Sequence, residues 1–275
     1  MIDTDLLVRE TFIARAEHYA TVGSTNDLAR EFAAQGVGPL PLLIVADEQT
    51  AGRGRGANRW WTGKGSLACS LLVDIDDLGF DLRRSPLVSL AAAVAIVRTV
   101  APRLPSHTVG VHWPNDVFVD GRKLAGVLVE GLSDRRMIVG IGLNTNSSLR
   151  DAPKPVEKRA TTLVELTGAE HDRTDLLLDL LEHLAKGLGQ LASGPEQIAA
   201  RADALCLQRG KTLTIEWGGR LVRGQCLGID SDGGLLLDTS EGRRKFYSGV
   251  LREATASASS SADSSAARDG KTRPS

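Results

Sequence analysis

A chain of 275 residues with a formal net charge of −1 and 42% hydrophobic residues can hold one large domain and a small one, and its charge balance gives no general drive toward nucleic acid or membrane. Its three cysteines lie far apart in sequence and its five histidines show no ligand spacing, which excludes a disulfide framework and a zinc pattern and suits reduced thiols. The N-terminus carries Asp3, Asp5, Arg9 and Glu10 without a long apolar core, so no secretory signal is read there, and no apolar run is read as spanning a bilayer, even Ala91–Val97 being bounded by Ser85-Pro86 and Arg98.

Residues 1–20 are mixed and weakly amphipathic. After Ser24-Thr25-Asn26, the residues Leu28, Ala29, Phe32 and Ala33 recur at helical spacing up to Gly36, which predicts a helix with one of those three polar residues as its N-cap. The functional alternative is that the same hydroxyl and amide groups bind the polar head of a ligand. Leu42–Ala46 and Ser66–Val73 read as strands on either side of a glycine-arginine loop, and Asp74–Arg84 as a polar connection. Pro86 opens an Ala-rich helix to about Val100, apolar nearly all round and therefore buried. Pro102–His107 is a loop.

A three-strand β meander follows: Val109–Trp113 leads through Pro114-Asn115-Asp116 into Val117–Val119, Lys123–Glu130 returns, and Met137–Leu143 is the third strand, with turns at Asp120-Gly121 and Ser133-Asp134. Two features fit a structural hairpin poorly. The polar pair Asn115-Asp116 interrupts a β-favouring run, and Gly126 marks a point where something approaches the strand backbone. Asp151–Lys158 reads as a charged, proline-bearing loop, and 160–163 as the start of a short helix ending at Gly168. Thr174-Asp175 caps a helix through about Leu191, with Leu177, Leu181, Leu184 and Leu188 on its buried stripe, and Pro195–Leu205 is one more. Thr212–Glu216, Arg220–Ile229, Leu235–Leu237 and Arg244–Tyr247 then alternate with glycine turns, as in a small barrel. Ala254–Ser275, rich in Ala and Ser, reads as a disordered tail. The expected division is a catalytic domain over 1–203, a barrel over 204–253 and the tail over 254–275.

The glycine-arginine loop is the most unusual stretch. Gly52, Arg53, Gly54, Arg55 and Gly56 precede Arg59, Trp60, Trp61 and Lys64, and no carboxylate falls between Glu48 and Asp74. Arginines offer bidentate donors to carboxylate and phosphate oxygens, glycines let backbone approach a ligand, and the tryptophans add flat apolar surface. The loop therefore predicts closure over an anionic ligand. The rival reading is a solvated arginine-glycine segment that touches RNA backbone without specificity.

Five segments, taken together and in order, resemble the bacterial biotin protein ligases: Ser24-Thr25-Asn26; 47–55, reading DEQTAGRGR; Trp113-Pro114-Asn115-Asp116; Lys123-Leu124-Ala125-Gly126; and Gly140-Ile141-Gly142-Leu143-Asn144. With the small barrel, the resemblance runs from about Val22 to Arg252. It implies an α+β fold, a mixed sheet with packed helices like that of class II aminoacyl-tRNA synthetases, followed by an SH3-like barrel. It implies that biotin and ATP form biotinyl-5′-AMP, with Mg²⁺ assisting, and that biotin passes to one lysine of a biotin carboxyl carrier protein domain.

Carried over by position, the resemblance puts Ser24, Thr25, Asn26, Gln49 and Gly126 around biotin. Arg53, Gly54 and Arg55 lie on the closing loop, and Lys123 reaches both the biotin carboxylate and the α-phosphate. Lys123, Arg53 and Arg55 are the expected catalytic cations. Trp60, Asn115, Asp116 and Asn144 join them at the nucleotide, Asp116 is also a candidate proton acceptor, and no protein metal ligand is assigned. One departure is that 56–60 reads Gly-Ala-Asn-Arg-Trp, with Asn58 where an arginine is expected. Another is that the residues before Ser24 are too few for a winged helix, so no operator binding or repressor function is expected. The expected setting is cytoplasmic, off the membrane, with homodimerisation left open. The alternatives are a lipoate or octanoate enzyme of the same fold, against which GRGR with WPND argues, and the RNA-binding module.

Overall fold

The computed structural model describes residues 2–36, 38–79 and 85–253. The expected disordered tail, 254–275, and part of the expected polar connection, 80–84, lie outside the described residues. Seven strands form one mixed sheet and five form a second, antiparallel one.

The chain opens with a helix α1 (Thr4–Glu10) capped by the Asp3 carboxylate, and a strand β1 (Arg15–Val22), neither of which the sequence reading anticipated. The strand lacks apolar alternation because it is an edge: among the described residues it pairs with β2 (Leu42–Gln49) alone, in parallel, and its side chains stay half-exposed. Between them, α2 (Thr25–Gln35) ends at Gly36, where φ is +64°. Ser24 is its N-cap by backbone geometry, yet the serine hydroxyl makes no capping hydrogen bond.

From β2 the sheet runs antiparallel through β3 (Leu67–Asp74), whose first seven residues are all buried because both sheet faces are covered. The connection after it holds a short helix, α3 (Ile75–Leu78), capped by Asp74. The apolar stretch becomes α4 (Ser85–Val100), and 86–103 is long and apolar enough to cross a membrane by length and composition, contrary to the sequence reading. Here that stretch is a core helix, about two-thirds buried. A short 3₁₀ turn, Ala101–Arg103, leads on toward β4 (Val109–His112), β5 (Asp116–Val119), β6 (Arg122–Gly131) and β7 (Arg136–Leu143), giving the spatial order β1-β2-β3-β7-β6-β5-β4.

The stretch read as a loop contains α5 (Lys154–Arg159). Pro155 sits in its first turn, where a missing N–H breaks no intrahelical bond, so proline there does not forbid a helix. Then come α6 (Leu163–Thr167), α7 (Arg173–Ser193) and α8 (Pro195–Ala204). Gly187 on α7 would place a Cβ 3.4 Å from the Ala91 methyl, so small residues bring α7 close against α4. The second sheet comprises β8 (Thr212–Trp217), β9 (Arg220–Ile229), β10 (Leu235–Thr239), β11 (Gly242–Phe246) and β12 (Val250–Glu253). The unanticipated β12 pairs with β8, opposite β9.

One hydrophobic core runs from Leu7 through α4 and α7 to Ile198, Ile229 and Phe246. The second sheet is therefore welded to the first. Val111 N donates to Leu205 O at 2.8 Å, Leu207 N donates to Val111 O at 3.0 Å, and the buried Trp113 indole donates to Gly233 O at 3.0 Å. The three cysteines are free thiols.

Candidate active site

A cavity of about 710 Å³ opens above the middle of the large sheet, within the size range of small-molecule sites. It has two chemically distinct ends. At the first, Ser24, Thr25 and Asn26 are buried at the start of α2. Gln49 Oε1 accepts from Thr25 N (2.9 Å) and Thr25 Oγ1 (3.2 Å), and Gln49 Nε2 donates to Thr62 Oγ1 (3.2 Å). Ser70 Oγ lies 2.6 Å from Asn26 Oδ1 and 2.7 Å from Thr25 Oγ1. The result is a desolvated polar chain offering both donors and acceptors, suited to a neutral head group with a carbonyl and N–H groups. Ser24 as backbone cap and the hydroxyl as ligand group are compatible, because the cap uses only the backbone.

At the other end the charges gather. Lys123 Nζ is 2.7 Å from Asp116 Oδ1, and Arg55 Nη1 reaches Asn115 Oδ1 at 3.4 Å. The Asn115 amide is fixed in turn by donation to Val127 O at 2.5 Å. Burial pushes the Arg55 guanidinium below its ordinary value, with the nearby Asp116 charge opposing, which marks a cation short of counter-charge. Lys123 owes its position to a β-bulge: Phe118 pairs with Lys123 but Val117 pairs with Ala125, leaving Leu124 over. Strict alternation would put position 123 on the face of Ala125 and Val127, which are buried in the core. The extra residue puts Lys123 in the cavity wall with Gly126, whose Cβ would crowd the lysine at 3.1 Å.

Trp60 forms the wall between the ends. A Cβ on Gly142 would lie 2.3 Å from its indole, so glycine is required there by close approach. The indole Nε1 is buried with no hydrogen-bond partner among the described residues, and Lys123 Nζ sits 5.4 Å from the ring centroid. The glycine-arginine loop is a small hairpin, with Gly54 N donating to Asn58 O (2.9 Å) and Trp60 N to Gly52 O (3.0 Å). Asn58, the departure from the expected arginine, donates from its carboxamide to Arg55 O at 3.0 Å and closes the turn. Arg53 points away from Arg55, pairing with Asp27 at 2.7 Å and Glu130 at 2.8 Å. Burial counts against its charge, but those carboxylates outweigh it and hold the guanidinium above its ordinary value.

Ser24, Thr25, Asn26, Gln49, Arg53, Gly54, Arg55, Trp60, Asn115, Asp116, Lys123 and Gly126 all line this one cavity. Asn144 does not. It is buried beneath the wall, donating to Thr161 O (3.0 Å) and Lys123 O (3.5 Å), so it steadies the lysine backbone instead of facing the cavity. The sequence reading missed Glu130, the carboxylate behind Arg53, and Val250 and Leu251 at the rim. The alternation of Gly140 and Gly142 in a strand was the available signal for the close approach. Among the described residues no group of three or more His, Cys, Asp or Glu side chains could hold a metal ion.

Residues 19–146 match the biotin/lipoate A/B protein ligase family, and 210–250 match the biotin protein ligase C-terminal domain. The chain is 35% identical to the biotin–[acetyl-CoA-carboxylase] ligase of Mycobacterium tuberculosis over 223 residues, covering 80% of this chain and 81% of that protein. It is 32% identical to the bifunctional ligase/repressor BirA of Bacillus subtilis over 236 residues, covering 84% and 71%. The biotin protein ligase of Aquifex aeolicus in complex with biotin and ATP superimposes with a TM-score of 0.76 at 29% identity, covering 86% of this chain and 98% of that one. On both its sequence and its fold, the chain belongs to the biotin protein ligase family.

Proposed function

We propose that this protein condenses biotin with ATP to biotinyl-5′-AMP, releasing pyrophosphate, and then transfers the biotinyl group to a lysine of a carrier protein of a biotin-dependent carboxylase. The observation that carries the reading is the two-ended cavity: a neutral donor–acceptor chain at Thr25, Asn26 and Gln49, and a cationic end at Lys123 and Arg55, joined by the Trp60 wall. The match of 210–250 to the biotin ligase C-terminal domain supports biotin over lipoate or octanoate. The relatives named as acetyl-CoA-carboxylase ligases support a carboxylase carrier.

In the first half-reaction a biotin carboxylate oxygen attacks the α-phosphorus of ATP and the bond to the pyrophosphate oxygen breaks. The carboxylate is ionised at neutral pH, so no base is needed. The problem is to bring two anions together, and Lys123 and Arg55 supply charge where it develops. Mg²⁺ bound to the nucleotide would supply neutralisation of phosphate charge, and among the described residues no cluster of three or more His, Cys, Asp or Glu side chains is built to hold it. The loop hairpin closes over the cavity and keeps water from the adenylate. In the second half-reaction the carrier lysine amine attacks the acyl carbon, AMP leaves, and Asp116 is the carboxylate in the wall available to take the amine proton.

The test is biotin-dependent ATP–pyrophosphate exchange, with lipoate and octanoate as competing acids. Exchange with biotin alone is expected; exchange with lipoate or octanoate instead would overturn the assignment. Mobility shift with RNA and with DNA, expected to be absent, tests the nucleic-acid reading independently.

A further inference from the structure

One carboxylate behind the cavity ties together three parts of the chain. The Glu130 side chain is 15% exposed, on the cavity face of β6. Its Oε1 accepts from Arg30 Nη2 on α2 (2.8 Å) and from Arg53 Nη2 on the loop (2.8 Å). Its Oε2 accepts from Asn26 Nδ2 (2.7 Å) and from Arg53 Nη1 (3.1 Å). Arg53 therefore binds it bidentately, the geometry in which a guanidinium–carboxylate pair is strongest and most directional. Asp27, the other carboxylate on Arg53, is half-exposed and contacts it through one oxygen.

The same carboxylate settles the orientation of Asn26. An ionised carboxylate only accepts, so the amide nitrogen must face Glu130 and the amide oxygen must face Ser70, 2.6 Å away. The loop's Arg53 and the Asn26 amide thus meet on one carboxylate that lines no part of the cavity.

We propose that Glu130 is a positioning residue that latches the glycine-arginine loop in its closed position and orients Asn26 for the ligand head. This rests on the ligase reading for its kinetic consequence. With Glu130 replaced by the isosteric but uncharged glutamine, Arg53 loses its bidentate partner and the amide of position 26 can turn over. The loop then opens more often and the head group meets a mixed population of Asn26 orientations.

The experiment compares full-length wild type, Glu130→Gln, Glu130→Asp and Asp27→Asn. Limited trypsin digestion of ligand-free protein reads cleavage after Arg53 and Arg55, and is expected to be about tenfold faster in Glu130→Gln, the loss appropriate to one charge-assisted pair. ATP–pyrophosphate exchange is expected to show the KM for biotin raised about tenfold, with kcat within about threefold of wild type. Glu130→Asp is expected to recover part of both effects, and Asp27→Asn to show neither beyond about twofold. Unchanged loop cleavage, an unchanged biotin KM, or a Glu130→Gln chain that fails to fold would overturn the proposal. A wild type without exchange but with the expected cleavage difference would overturn the ligase reading and leave the latch standing.

Discussion

Lys123 Nζ lies 2.7 Å from Asp116 Oδ1, across the β5–β6 bulge that turns the lysine out of the core and over Gly126. The pair holds the ammonium in place before substrate arrives, so its position need not be organised during reaction. Lys123→Ala is expected to lower biotin-dependent ATP–pyrophosphate exchange by at least about 100-fold, the scale of removing one preorganised charge-stabilising donor. Binding of the carrier protein, followed by calorimetry, is expected to stay within about twofold of wild type.

Gly142 carries the Trp60 wall. The Cβ of Gly142→Ala would fall 2.3 Å from the indole, which must move. Because the ring lines the cavity and is not part of the core, the fold is expected to survive while biotin affinity, measured by titration calorimetry, weakens about tenfold. Trp60→Ala combined with Gly142→Ala is expected to show no further loss beyond Trp60→Ala alone, since the clash then has no partner.

Trp113 joins the two sheets. Trp113→Phe leaves Gly233 O without its donor, at an expected destabilisation of about 1–3 kcal/mol, read as a lower midpoint in urea. Asn115 and Asp116 follow Trp113 after Pro114 alone, so adenylate formation is expected to fall as well, whereas the same loss of stability introduced within the second sheet should leave the exchange rate unchanged.

Asp47 pins β2 to β1 and α7, accepting from Arg173 Nη1 at 2.7 Å and lying 3.0 Å from His18 Nε2. Burial acts against its ionised form, but these two partners outweigh it and hold the carboxyl below its ordinary value of 3.8. A depressed carboxyl contributes stability that is present above the ordinary value and is lost as pH falls through the lowered one. The side chain is 34% exposed, so after solvent screening the contribution is at most about 1 kcal/mol. Asp47→Asn is expected to be the less stable protein at neutral pH, with the two denaturation midpoints converging in strong acid.

Much of this was legible in the chain itself. The motifs at GRGR, WPND, Lys123 and Gly126 were visible because glycines and charged residues inside β-favouring runs break a pattern that packing alone would keep. The long helix α7 was visible because apolar residues at helical spacing report a buried face without needing a partner to be named, and α4 because a proline opens an Ala-rich run that is apolar nearly all round.

Other features were decided only by assembly. An edge strand such as β1 earns its conformation from hydrogen bonds to β2, and its own side chains, half-exposed, carry no periodic signal. The direction of Lys123 depends on a one-residue mismatch between two paired strands, which neither strand contains by itself. The sequence by itself marked most of the polar and charged residues that line the cavity; tertiary structure decided that Arg55 faces Asn115 while Arg53, two residues earlier, is taken by Glu130. The reason is physical: spacing along a chain specifies residue type and local conformation, whereas the partner of a guanidinium is set by which carboxylate the folded sheet brings within 3 Å.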